Sequence, residues 1–381
     1  MGNDSKAKPL YSIIYDHLRD EILRQHYAPG ARLPTEVELA KDFGVSRITS
    51  KRAMEELERD GYIYRQRGRG SFVRELHTVL PPDFALPRGR SAGRAVPIVL
   101  PSEGHGMFGY VQGAAEILNR AGYFLSIQTT NGTAPAERVL LCQLLTSDAK
   151  IILYYPIDDR NLDILLALHF SKHSIITIDK RLDGLPTTSV VSDNVGGGRM
   201  VTDTLLSRGH RRIAFVSSVE LEAVSSVRER FIGYCSALQK KDIRVDPDIV
   251  VLDFIGTDDS RSRWVDPRNL LGRLIAGGVT AIQAEHDLIA RDLLRYATEL
   301  GIEVPRDLSI VGFDNTDASQ HLSVPLTTVE QNFHEIGRRA AEVAVRFLET
   351  NIEPPTQSIV IPVRMIDRSS VAQMTNAKSQ V

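Results

Sequence analysis

Tyr11, Ile14, Tyr15, Leu18 and Ile22 recur at steps of three and four residues, which lays one apolar stripe along a helix and predicts an α-helix over residues 11–26. Residues 27–30 interrupt the period. Thr35 followed by Glu38 has the spacing of a capping box and opens a short helix with Leu39, Ala40 and Phe43 facing inward. Gly44 ends it. Ser46 is placed to cap a third helix whose inner stripe is Ala53, Met54 and Leu57 and whose end is closed by Gly61. Arg47 and Lys51, four apart, are left on its outer face. Two strand-like runs follow, 62–65 and 71–74, joined by Gln66-Arg67-Gly68-Arg69-Gly70, which makes a β-hairpin with a basic, glycine-rich tip. Three helices and such a hairpin form a winged helix-turn-helix, an α+β module. Its third helix is built to enter the major groove of double-stranded DNA while the hairpin follows the backbone or the minor groove.

Beyond residue 96 the pattern changes. Apolar runs at 98–100, 125–128 and 151–155 alternate with amphipathic segments near 109–121 and 137–145. Further runs at 175–178, 213–216 and 281–283 alternate with helices near 199–207 and 230–240. This βαβ rhythm predicts parallel sheets, and its length, roughly 270 residues, predicts two lobes. Between the modules, residues 76–95 hold three prolines and two glycines without sustained period, the composition of a linker. The expected layout is a DNA-binding domain at 8–75, the linker at 76–95, and an α/β domain at 96–368. Its first lobe takes 96–192 and 327–350, its second 193–326 and 355–368, and a loose polar tail follows at 369–381.

Composition narrows the possibilities. Hydrophobic residues make up 42% and charged residues 25% of the 381, which is ordinary globular material. The net charge of −2 conceals an asymmetry: 17 basic and 13 acidic residues precede residue 101, while 29 basic and 35 acidic follow. Residues 44–75 alone carry eight basic side chains against five acidic, which suggests an anionic partner there. Cys142 and Cys235 are the only cysteines, which supports neither a disulfide framework nor a cysteine-rich zinc site. The first ten residues lack the apolar core of a secretory signal, and no apolar run approaches the roughly 20 residues of a membrane helix. A cytoplasmic protein without membrane association is expected.

Leu33-Pro34-Thr35-Glu36, Val45-Ser46-Arg47 and Gly68-Arg69-Gly70-Ser71-Phe72-Val73 resemble, in order and spacing, the motifs of the GntR family of bacterial regulators. Two positions depart from it: Ser50 stands where the family is usually apolar, and Lys51 replaces a frequent arginine. A lysine lacks the bidentate fork, so base reading differs there. The resemblance implies that Arg47 and Thr49 face base edges or adjacent phosphates, and it counts Ser46, which opens their helix, among the DNA-binding residues. It assigns Lys51 and Arg52 to phosphates, Arg69 and Gly70 to the wing tip, and Thr35 and Glu36 to a helix start near the backbone.

The larger module carries Asp193-Asn194 followed by Gly209-His210-Arg211-Arg212-Ile213, then Ser226 with Arg230 and Gly233-Tyr234, then His286-Asp287. Gly301-Ile302-Glu303-Val304-Pro305 leads on to Gly312-Phe313-Asp314, and Leu326-Thr327-Thr328-Val329 continues. This series resembles the LacI/GalR effector domain, implying a two-lobed, periplasmic-binding-protein-like fold with a ligand between the lobes. A sugar presents hydroxyls that donate and accept together, so its site needs carboxylates and a multiple donor. Asp287 and Asp314, at strand ends where open α/β sheets bind ligands, and Arg230, at a helix start, supply them. Tyr154 and Phe333 offer apolar faces. The resemblance adds Ser226, Gln331, Asp179 and Lys180, and puts His286 where the family often has asparagine.

Gly196-Gly197-Gly198 lacks dinucleotide-binding spacing, and His169 and His173, four apart on an expected helix, lack the glutamate of a zinc motif. No cofactor or metal is expected, nor an enzyme. A sugar-transport receptor would need an export signal and no DNA reader; a GntR-fused aminotransferase would need a pyridoxal-phosphate lysine in a much longer domain. The combination resembles the arabinose repressors. It implies a homodimeric transcriptional regulator released from its operator by a monosaccharide such as arabinose or a related sugar, with activation or a non-sugar metabolite as the alternatives.

Overall fold

The computed structural model describes residues 10–23, 27, 28, 30–59, 62–66, 69–73, 94–101, 106–252, 254 and 267–374. The chain divides into two compact units, residues 1–88 and 89–381.

In the first unit, α1 (Leu10–Leu23), α2 (Glu36–Asp42) and α3 (Arg47–Arg59) precede an antiparallel pair, β1 (Ile63–Gln66) and β2 (Gly70–Val73). Ile14, Leu18 and Ile22 pack on Leu39, Ala53, Met54 and Leu57, with Ile63 and Val73 of the hairpin closing the core. The capping box forms: Thr35 N donates to Glu38 Oε2 at 2.7 Å and Thr35 Oγ1 accepts from Glu38 N at 3.3 Å. Ser46 Oγ accepts from Thr49 N at 3.3 Å at the start of α3. Ser50, polar in an apolar position, is fully buried, and its hydroxyl donates to Glu36 O at 2.6 Å, so it ties α2 to α3 without an unmet donor. Residues 24–26 of the expected first helix, Gly61, Arg67, Gly68 and residues 74–93 lie outside the described residues.

The second unit runs β3 (Ala95–Leu100), α4 (Met107–Arg120), β4 (Phe124–Thr129), α5 (Ala134–Leu145), β5 (Ile151–Tyr154), α6 (Leu162–Phe170), β6 (Ser174–Ile178) and β7 (Thr188–Ser192) in its first lobe. Then come α7 (Asn194–Ser207), β8 (Ile213–Val216), α8 (Ser225–Gln239), β9 (Val250–Val251), α9 (Pro267–Ala276), β10 (Ala281–Ala284), α10 (Asp287–Glu299) and β11 (Ser309–Val311) in the second. Last are β12 (Thr328–Glu330), α11 (Phe333–Thr350), β13 (Gln357–Ile361) and β14 (Arg364–Ile366). One parallel sheet has the order β13-β7-β6-β5-β3-β4 and the other β11-β10-β8-β9; β12 and β14 pair antiparallel. This is the two-lobed α/β architecture expected from the rhythm of the sequence.

Both sheets are covered on both faces, which is why their inner strands read as unbroken apolar runs. In the first, Ile98, Leu153 and Ile176 pack toward α4 and α11, while Val99, Ile152, Tyr154 and Ile175 pack toward α5 and α6. The chain passes between the lobes three times, at Asp193, at Gln331 and Asn332, and at Pro362 and Val363; Asp193 N donates to Ile361 O at 2.9 Å, tying the first passage to the third.

Four expectations need correction. The lobe boundaries shift: residues 357–361 belong to the first lobe, because β13 pairs in parallel with the open edge of β7, and residues 327–330 to the second, because β12 pairs with β14 and bridges to Val311 and Asp314. The segment 369–374 is docked: Ser370 is fully buried, donates to Ile310 O at 2.6 Å and accepts from Thr327 N at 2.8 Å, while Met374 N donates to Arg208 O at 2.8 Å. Its polar composition concealed that these polar groups satisfy buried backbone. Helix α8 starts at Ser225, so Arg230 lies inside its second turn rather than at its start. His173 follows α6 instead of sharing it with His169. No helix among the described residues is long and apolar enough to cross a membrane.

Candidate functional site

The first unit presents an outward face on α3. Arg47 is 73% exposed and sits 3.8 Å from Glu36, which also pairs with Arg65 at 3.3 Å, so Glu36 holds two arginines in place. Lys51 lies 3.6 Å from Glu55, a loose exposed pair that leaves its charge available. Thr49 Oγ1 and Ser46 Oγ share a hydrogen bond of 2.8 Å. The Arg52 guanidinium lies 3.9 Å from the ring centre of Tyr11 and 3.6 Å from Glu56, so it braces α1 against α3. Arg69 is exposed at the described end of the wing, and Gly70, with φ of 114°, lies against the side chain of Arg32. Arg32 was not singled out from the sequence, because it lies outside the helices; its bridge to Phe72 brings it to the hairpin.

The second unit has a cavity of about 220 Å³ between its lobes, smaller than the roughly 300–1,000 Å³ of sites for drug-sized ligands. Asp179, Lys180, Ser226, Arg230, His286, Asp314, Gln331 and Phe333 all line it. The strand ends deliver Asp179 from β6 and Asp314 from β11, while helix starts deliver Ser226 and Phe333.

Arg230 is the hub. It is 5% exposed; Nε donates to Asn194 Oδ1 at 3.0 Å, Nη1 to Glu285 O at 2.6 Å, and Nη2 lies 3.6 Å from Asp314 Oδ1. Its guanidinium stacks 3.7 Å from the ring centre of Phe313. The glycine run at 196–198 acquires its meaning here. A Cβ on Gly198 would stand 2.1 Å from Arg230 O, and one on Gly233 2.2 Å from Val195 O, so the glycines let α7 and α8 close up and fix where Arg230 points.

Around it, Asp179 accepts from the Tyr110 hydroxyl at 2.7 Å, and Tyr155 lines the cavity beside it. Lys180 Nζ donates to Ile157 O at 3.1 Å and lies 4.9 Å from the ring centre of Tyr155; burial pulls its pKa down. Burial pushes the Asp314 carboxyl up to about 7 against the lowering effect of Arg230. His286 Nδ1 accepts from Ile289 N at 3.3 Å, which leaves Nε2–H for Glu285 at 3.2 Å, and burial holds the ring below its ordinary pKa. It is a neutral donor there. Gln331 Nε2 donates to Asp314 at 2.6 Å, while Gln331 Oε1 is buried with no hydrogen-bond partner among the described residues.

Two expected residues do not line the cavity. Tyr154 points to the α5–α6 side, its phenol near Glu137, and the neighbouring Tyr155 takes its place on the cleft. Asp287 opens α10 and spends its oxygens on Thr316 N at 2.7 Å, Thr316 Oγ1 at 3.2 Å and Thr328 Oγ1 at 2.6 Å, so it anchors the loop that carries Asp314. Burial raises its pKa against these bonds. Tyr110, Tyr155, Ser218 and Glu285 line the cavity without having been named from sequence.

The rim is bridged from lobe to lobe. Arg181 N donates to Ser225 Oγ at 2.8 Å, Arg181 pairs with Glu229, and Arg228 Nη2 donates to Asp183 Oδ2 at 2.7 Å. The two ion pairs run in opposite senses across the gap.

Residues 10–73 match the family described as bacterial regulatory proteins, gntR family, and residues 202–371 match the periplasmic binding protein-like domain. The arabinose metabolism transcriptional repressor of Geobacillus stearothermophilus is 27% identical, over 97% of this chain and 99% of its own length. That of Halalkalibacterium halodurans is 25% identical, over 97% and 98%. A solved structure titled as a transcriptional regulator CelR–cellobiose complex superposes with a TM-score of 0.63 at 22% identity, covering 89% of this chain and all of the other.

Proposed function

We propose that this chain, a gntR-type winged-helix reader joined to a periplasmic-binding-protein-like domain, is a cytoplasmic transcriptional repressor that leaves its operator when a small carbohydrate fills the cleft. The reader supplies exposed cations on α3 and the wing for the phosphates and base edges of a duplex. The cleft supplies a buried guanidinium, an amide oxygen short of a donor, carboxylates and a neutral imidazole, with the rings of Tyr155 and Phe333 beside them. The observation that carries the carbohydrate reading is Gln331 Oε1, a buried acceptor that a ligand hydroxyl would satisfy. Relatives named as arabinose repressors make arabinose or a related monosaccharide the first candidate.

Closure of the lobes on ligand would alter the spacing of two readers in a homodimer and spoil their fit to two half-sites. A coupling of about 1–3 kcal/mol would shift operator affinity roughly 5- to 150-fold. The test is fluorescence anisotropy of the full chain on a duplex selected from a random library, titrated with pentoses, hexoses and their phosphates. Release by one sugar, with a matching rise in melting temperature, is expected; operator affinity unmoved by every compound would refute the switch.

A further inference from the structure

Ile48 is the second residue of α3 and is 80% exposed, the most exposed large apolar side chain among the described residues. At about 100° per residue, the stripe Ser50, Ala53, Met54 and Leu57 turns Ile48 almost directly away from the core. A β-branched residue there helps neither helix propensity nor packing. Its surroundings say what it is for. Arg47 precedes it, Lys51 and Arg52 lie one turn on, and all three are exposed. A protein partner would call for a contiguous apolar patch, and one apolar group ringed by cations is not that. The major groove offers the complementary set: phosphates along both walls and, among polar base edges, one apolar projection, the C5-methyl of thymine.

We infer that Ile48 is a specificity-determining residue that packs on a thymine methyl of the operator. This rests on the reading of the first unit as a DNA reader. Covering one methyl group should be worth about fourfold in affinity.

The experiment uses the full chain and the consensus duplex selected from a random library, remade with deoxyuridine at each thymine in turn, so that only the methyl group is lost. At one thymine position per bound reader, substitution should weaken wild-type binding about fourfold. Ile48→Ala should bind the unmodified duplex about fourfold more weakly per bound reader, hence about 16-fold for a dimer on two half-sites, and show no penalty for deoxyuridine at that position, whereas Ile48→Val should keep most of it. Because the side chain is exposed, both variants should melt with the wild type. An unchanged deoxyuridine penalty in Ile48→Ala, or no penalty at any thymine in the wild type, overturns the assignment while the DNA reader stands. Selection of no consensus at all overturns the reader and the assignment with it.

Discussion

Arg47 on α3 is nearly three-quarters exposed, with Glu36 3.8 Å away, whereas Arg230 on α8 is buried and engages Asn194, the Glu285 carbonyl and Asp314. The same guanidinium is kept hydrated at one site and stripped of water at the other. An exposed cation with a loose partner is free to exchange that partner for a phosphate or a base edge, and salt will screen the exchange. A buried one is already oriented, and its strength lies in donors that need no rearrangement when a ligand arrives. Recognition of a polyanion and recognition of a small polar ligand thus call for opposite treatments of charge within one chain.

Breaking the buried member should have the largest effect. Arg230→Ala strands Asp314 and the Glu285 carbonyl, at a cost of about 3–5 kcal/mol, and should lower the melting temperature and abolish the sugar-dependent shift in calorimetry. Arg47→Ala should leave melting unchanged and reduce discrimination between consensus and scrambled duplex by about 1–3 kcal/mol in anisotropy. If Arg47→Ala instead melted early and Arg230→Ala did not, the contrast between the sites would be inverted.

Asp314 sharpens the comparison through pH. Its carboxyl is pushed up to about 7 in the folded chain, above its value in the unfolded chain, so the folded state binds more protons and this group's contribution to stability falls as pH rises from about 4 to 7. Chemical denaturation across that range should show this slope flattened in Asp314→Asn. The smallest effect belongs to the rim. Asp183 is 77% exposed, so Asp183→Ala should loosen the bridge to Arg228 by only about 0.2–1 kcal/mol, read as a weaker sugar affinity in titration calorimetry with operator affinity unmoved.

The periodicities at 11–22 and 47–57 and the βαβ rhythm made both folds legible, because each rests on local spacing. Most of the cleft was legible too, since strand ends and helix starts are where such folds put their ligands. What escaped was set by parity and by distance in the chain. Tyr154 and Tyr155 are neighbours of one type at the end of a strand buried on both faces, so no polar alternation says which one turns to the cleft. Asp287 and Asp314 are alike in position, yet Thr316 and Thr328, far from Asp287 in the chain, claim its oxygens and leave only Asp314 on the cavity. Glu285, held by Ser217 and Ser218 across 68 and 67 residues, had no local signature at all.

Two rigid bodies joined by one segment can swivel and drift apart, but here three tethers run between the lobes, and Asp193 is bonded to Ile361 across two of them. Stretching or shearing would have to deform all three together, so rocking about the row they form is the soft coordinate. The jaw width at Arg181 and Ser225 then reports the posture of the whole second unit, and a pair of spectroscopic probes at that rim would suffice to follow it.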